Sequence, residues 1–167
     1  VGTRLVTAYD QPALGGVYKL AAIRKTGGDW QYKVKLSEQA VKTSTPGILQ
    51  VRRFRDDNSC VADMIYDVGL GAPAQSTIID PLEPMRRKDV DSTKLKHEDL
   101  LVPVFRGGQQ VYTQQPLAEI RQRTMSQLQG FHHGVRRFMN PHEYPAGLEQ
   151  NLHDLKMKLI LEARKKD

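Results

Sequence analysis

Apolar and polar residues alternate through much of the first two thirds of this chain, then shift to three- and four-residue steps in the last third. Trp30, Tyr32, Val34 and Leu36 fall on one side of a period-two pattern, and Gln31, Lys33 and Lys35 on the other. That is the signature of a strand with one wet face. Val17 to Ile23 predicts a preceding strand, with Thr26-Gly27-Gly28-Asp29 as the hairpin turn, because glycine accepts positive φ at little cost. Thr45-Pro46-Gly47 punctuates the chain before a strand over Ile48 to Phe54, and Asp56 to Ser59 turns it into Cys60 to Val68. These four strands read as one antiparallel meander. Residues 69–97 are broken by Gly69, Gly71, Pro73, Pro81 and Pro84; a short strand is expected at Thr77 to Ile79 and a charged surface loop over Arg86 to His97. Leu100 to Phe105 and Gln109 to Thr113 predict a second hairpin across Arg106-Gly107-Gly108.

Pro116 then suits the start of a helix, where its missing N–H would be unpaired in any case. Leu117, Ile120, Met125, Leu128, Phe131, Val135 and Phe138 follow as an apolar stripe, with Gly130 and Gly134 marking close packing or an end near residue 130. The stripe suits an internal core or a partner surface equally. Asn140 to Pro145 is a break, and a last helix runs from about Leu148 to Arg164 with Leu152, Leu155 and Leu159 on its buried side. The fold class is therefore α+β: an antiparallel β-rich region followed by a helical C-terminal tail. The expected divisions are 1–15, 16–115 and 116–167.

With 167 residues, 39% apolar and 26% charged, the chain is sized for one ordinary domain with a real core. No apolar run approaches the roughly 18 residues of a membrane span, and no leader is visible at Val1, so a cytoplasmic setting is expected. One cysteine, Cys60, excludes a disulfide framework and a cysteine-rich zinc site; in an apolar strand it reads as a small buried hydrophobe. The net charge of +6 is compatible with nucleic acid, anionic surfaces or phosphorylated small molecules, and selects none of them.

Candidate chemistry begins at Gly2-Thr3. A phosphate needs convergent donors without bulk, and this pair offers backbone N–H groups and a hydroxyl. Read alone, the pair is an ordinary turn. Lys19 and Arg4 are further candidate phosphate contacts; a solvated strand face is the alternative for Lys19. Tyr18, Trp30 and Tyr32 offer rings to a nucleobase, but the alternation around them points to core packing. His97, His132, His133, His142 and His153 read as surface or capping residues, with His153 exposed on the last helix. His132 and His133, being adjacent, point to different helix faces and fail the spacing of a metal pair. No catalytic and no metal-binding residue is assigned.

Three ordered segments carry a family resemblance: Gly2 to Thr7 with Pro12 to Leu20; Lys35-Leu36-Ser37 with Lys42 to Gly47; and Arg137 to Pro145, which contains Asn140-Pro141-His142-Glu143-Tyr144-Pro145. Together they resemble the C-terminal portion of nicotinate phosphoribosyltransferases, over nearly the whole chain. The resemblance implies a partial piece of a phosphoribosyltransferase whose barrel lies mostly upstream. Residues 1–15 would end that barrel with a phosphate-binding turn, 16–115 would form a β-rich accessory region, and 116–167 a helical region. The family's enzyme makes nicotinate mononucleotide from nicotinate and phosphoribosyl diphosphate in NAD salvage, with ATP hydrolysis coupled through a phosphohistidine. ATP and Mg2+ are thus expected for the full-length enzyme and none is expected to be held by this part. The resemblance also implies a homodimer and maps the family's phosphate turn onto Gly2 and Thr3. The phosphohistidine, nicotinate-binding tyrosine and phosphate-binding arginine of the family would lie before Val1, so the isolated fragment is expected to be inactive.

Two other classes compete. A basic nucleic-acid-binding module would explain the charge but lacks an aromatic RNA-binding signature and zinc-finger spacing. An assembly module without catalysis would use the 117–138 stripe as its contact surface.

Overall fold

A computed structural model describes residues 18–165. The described residues form ten strands, β1 (Ala22–Ile23), β2 (Gln31–Tyr32), β3 (Leu49–Asp56), β4 (Ser59–Asp67), β5 (Gln75–Ile79), β6 (Arg87–Asp91), β7 (Lys96–Asp99), β8 (Phe105–Arg106), β9 (Gln109–Gln110) and β10 (Ala146–Glu149). Helices α1 (Leu117–Gln129), α2 (His133–Arg136) and α3 (Gln150–Arg164) occupy the last third. The class is α+β, as the pattern predicted.

Six strands make the principal sheet, in the order β6-β5-β10-β4-β3-β7. The long β3–β4 hairpin turns at Asp57, which sits at φ 49°. This is the αL region, where Asp is tolerated better than most residues. Phe54, Ala62, Met64, Tyr66, Ile78 and Val90 form the buried cluster. Both edges are charged: β6 reads Arg-Lys-Asp-Val-Asp and β7 Lys-His-Glu-Asp. Such edges resist pairing with another chain.

Several expectations change. The four early strands do not form one meander, because β1 and β2 pair only with each other, as a separate two-stranded sheet. The expected strand over Val17 to Ile23 shrinks to β1, its first residue lying outside the described range, and the strand from Trp30 shrinks to β2. The 86–97 stretch is not a loop: it supplies β6 and the start of β7. The sheet is not purely antiparallel either. β10, expected as break and helix start, lies between β5, antiparallel to it, and β4, parallel to it. Gly147 fits there because a Cβ would stand 2.3 Å from the Ile79 carbonyl oxygen.

The helices start and stop for identifiable reasons. The Pro116 carbonyl accepts from Glu119 and Ile120 at 3.0 and 3.1 Å, opening α1. Gly130 ends it, and there a Cβ would press on Arg55 and Cys60. No α1 residue is buried, and Leu117 is 80% exposed, so the apolar stripe faces outward. Glu149 caps α3, accepting from the backbone N–H of Asn151 and Leu152 at 2.8 and 3.2 Å. Leu152 of α3 is buried, as expected, and so is Lys156 one turn later, which was not. Cys60 is a buried free thiol. Among the described residues no helix is long and apolar enough to cross a membrane.

Candidate phosphate-binding site around Lys19

Gly2, Thr3 and Arg4 lie outside the described residues; Lys19 lies within them. The Lys19 ammonium donates to the backbone carbonyl of Lys42. Lys19 also lines a cleft of about 350 Å³ with Tyr18, Trp30, Gly47 and Ile48.

The segment 42–47 is fastened to the strand beyond Lys19. Gly47 N–H donates to the Ala21 carbonyl at 3.1 Å, and Lys33 N–H donates to the same oxygen at 2.8 Å. Ser44, itself buried, exchanges two bonds with Lys35: its hydroxyl accepts from Lys35 N–H at 2.7 Å, and its N–H donates to the Lys35 carbonyl at 3.2 Å. So the Lys42 to Gly47 segment is bonded to the main chain at Ala21 and Lys35.

Asp67, at the end of β4, anchors this loop from below. Its carboxylate is 0% exposed and accepts from Ile48 N–H at 2.6 Å, the Tyr32 hydroxyl at 2.7 Å, and Gly69 and Leu70 N–H at 2.9 Å. Four neutral donors thus satisfy the buried carboxylate, with no cation beside it among the described residues. Gly47 is required twice over: its φ is 110°, and a Cβ would stand 2.5 Å from Asp67 Oδ2. The Tyr32 phenol is pushed up to about 12, first by its bond to Asp67, then by burial and by the carboxylate charge.

Lys156 reaches the same loop from α3. Its Nζ donates to Thr45 Oγ1 at 3.2 Å. Burial holds its pKa below the usual lysine value, and the charge of Lys19 adds to the depression.

The third matched segment is docked elsewhere on β4. Asp63 receives a bidentate ion pair from Arg53, at 2.8 and 2.6 Å, and a hydrogen bond from the Tyr144 hydroxyl at 3.0 Å. The Arg53 guanidinium lies 5.1 Å from the centroid of the Phe131 ring, which meets Tyr144 edge-on. Asp63 N–H donates to the Pro145 carbonyl at 2.9 Å, continuing into the β4–β10 pairing.

Other sequence candidates fall as follows. Tyr18 and Trp30 are exposed rather than packed in the core, and Arg24 covers one face of Trp30 at 4.5 Å. Only Tyr32 is drawn inward, by Asp67. His132 caps α2, accepting from Gly134 N–H at 3.1 Å. His153 is not exposed: its side chain is 13% accessible. Among the described residues no three His, Cys, Asp or Glu side chains converge as a metal site. Asp67 and Lys156 were not singled out from the sequence. Asp67 stands just before Gly69 at a strand end, where a carboxylate can take up loose N–H groups; Lys156 stands four residues after Leu152, on the same helix face.

Residues 50–156 match the model of the nicotinate phosphoribosyltransferase C-terminal domain. The chain belongs to that family. It is 31% identical over 168 residues to the nicotinate phosphoribosyltransferase of Bacillus subtilis (strain 168), covering 98% of this chain and 34% of the relative. It is 31% identical over 159 residues to the Homo sapiens nicotinate phosphoribosyltransferase, covering 93% of this chain and 28% of that protein. The chain therefore spans about a third of the length of these relatives. Its fold resembles part of the crystal structure of human nicotinic acid phosphoribosyltransferase, with a TM-score of 0.61 and 23% identity over 80% of this chain and 27% of that one.

Proposed function

We propose that this chain is the C-terminal part of a nicotinate phosphoribosyltransferase and supplies phosphate-binding groups to its active site. In the reaction, the nicotinate ring nitrogen bonds to the anomeric carbon of phosphoribosyl diphosphate as the bond to diphosphate breaks. Nicotinate mononucleotide, an NAD precursor, is the product. Displacement at such a carbon depends on positioning and charge stabilisation more than on a nucleophilic side chain. Gly2 and Thr3 offer backbone N–H groups and a hydroxyl to phosphoribosyl oxygens, Lys19 offers an ammonium, and Arg4 is a further candidate contact.

The observation that carries this reading is the family match over residues 50–156, since it joins the sheet that holds the Lys19 loop to this enzyme class. The cleft that Lys19 lines with Tyr18, Trp30, Gly47 and Ile48 supports the assignment of Lys19. ATP and Mg2+ enter through the resemblance alone, and no residue of this chain is assigned to them. The proposal includes a cytoplasmic homodimer, with the upstream region completing the catalytic site. Residues 1–15 close the barrel, 16–115 form the β-rich accessory region, and 116–167 the helical region.

The test is product formation from nicotinate, phosphoribosyl diphosphate and ATP. The 167-residue chain alone is expected to show no turnover, and the polypeptide that includes the upstream region is expected to show it. In the latter, Thr3→Ala is expected to raise KM for phosphoribosyl diphosphate by roughly tenfold, the worth of one hydrogen bond to a charged group. Nicotinate mononucleotide made by the 167-residue chain, or an unchanged KM, contradicts the assignment.

A further inference from the structure

Lys156 is a lysine that the fold has taken out of water: it is 8% exposed. Lysines are almost never buried unless paired. The ammonium has three N–H donors, and the acceptor it reaches among the described residues is neutral, Thr45 Oγ1 at 3.2 Å. No carboxylate among the described residues pairs with it. A second ammonium, that of Lys19, is turned onto the Lys42 carbonyl of the same short loop and acts on Lys156 through its charge. Two cations therefore share residues 42–45 without a counter-charge among the described residues. Burial and mutual repulsion both oppose this arrangement, and an oxyanion bound between the ammonium groups would offset both.

A phosphate group suits the donor set best. It carries up to two negative charges against two ammonium groups, and its several oxygens can accept from Lys156, Lys19 and the Thr45 hydroxyl from different directions. We propose that Lys156, together with Thr45, forms a phosphate subsite in the loop that Lys19 shares. The inference rests on the reading of Lys19 as a phosphate ligand, and it adds a residue from the last helix that the sequence motifs do not contain. The phosphate belongs either to a phosphorylated substrate or product, or to free inorganic phosphate.

Calorimetric titration with inorganic phosphate, replacing chloride at constant ionic strength, tests the subsite on the polypeptide that includes the upstream region. Wild type is expected to bind. Lys156→Met is expected to weaken binding about tenfold or more, the worth of a charge-assisted hydrogen bond, and Thr45→Val several-fold. Lys158→Met, at an exposed position of the same helix, is expected to bind as wild type does. Lys156→Met is also expected to melt no lower than wild type, because methionine fills a similar volume without the buried charge. A measurement on the unaltered chain stands beside the variants: phosphate is expected to slow reductive methylation of Lys156, followed by mass spectrometry of its peptide.

Wild-type chain that binds no phosphate at tens of millimolar, unchanged affinity in Lys156→Met, or a methylation rate indifferent to phosphate overturns the proposal. A lower melting temperature with unchanged affinity does so too, and assigns Lys156 a packing role. Lys19→Met separates this inference from the reading beneath it. Binding lost in Lys156→Met but kept in Lys19→Met leaves the subsite standing on Lys156 and Thr45 and removes Lys19 from it. Displacement of phosphate by phosphoribosyl diphosphate or nicotinate mononucleotide identifies a substrate phosphoryl group; phosphate bound independently of both identifies a site for free phosphate.

Discussion

Asp63 and Asp67 share one face of β4, yet the regions they organise treat charge in opposite ways. Around Asp63 every charge is answered within the chain: Arg53 grips the carboxylate with two bonds, Tyr144 adds a third, and Phe131 lies against the guanidinium. Around Asp67 the carboxylate is served by neutral donors, and the loop it fastens accepts from two ammonium groups of other segments, Lys19 and Lys156, through a carbonyl and a hydroxyl oxygen. The first arrangement is closed and fastens the Asn140 to Pro145 run to the sheet. In the second, no carboxylate among the described residues pairs with Lys156, and the oxygens that these two ammonium groups reach are neutral. The contrast separates a matched motif whose charges are paired within the fold from one that the proposed phosphate subsite would complete.

The largest expected effect comes from breaking the Asp67 side. Asp67→Ala strips the partners from three backbone N–H groups and the Tyr32 hydroxyl, and is expected to destabilise the chain by about 3–4 kcal/mol, since buried donors left unmade are costly. Urea unfolding measures it. On the Asp63 side, Tyr144→Phe removes one of three bonds while Arg53 still answers the carboxylate, so a loss of about 1 kcal/mol is expected in the same assay. Equal losses would erase the distinction between the two aspartates.

The smallest effect is a titration. Tyr32 is pushed up to about 12 by Asp67, so its folded-state pKa lies above the unfolded value of about 10. The stability it contributes is full below pH 10 and falls as pH rises from about 10 to 12, because the unfolded chain releases the proton first. Burial and the neighbouring carboxylates Asp99 and Asp63 raise Tyr66 and Tyr144 as well, so ultraviolet phenolate absorbance should show several late-titrating tyrosines, of which the component at about 12 disappears in Tyr32→Phe. A normal midpoint for Tyr32 would mean that its bond to Asp67 is not maintained.

Much of this was legible in the sequence where turn chemistry and alternation agreed. Thr26 to Asp29 and Asp56 to Ser59 turn where expected, and α1 and α3 lie close to their predicted spans. β10 was hidden because Ala146-Gly147-Leu148-Glu149 has no β-branched residue, and its glycine reflects close backbone approach rather than a break. β6 was hidden because an edge strand is made polar for the same reason that a loop is, its exposure to water. At the candidate site, the family motifs drew attention to Lys19, whereas Lys156 looked like any solvated helical lysine. Its burial depends on where α3 lands, which no local pattern encodes.

The most direct test of the central claim is a steady-state comparison of wild type and Lys19→Met in the polypeptide that includes the upstream region. A raised KM for phosphoribosyl diphosphate, with KM for nicotinate unchanged, is the predicted result. An unchanged KM for phosphoribosyl diphosphate would contradict the placing of this chain's cationic loop at the substrate's phosphates.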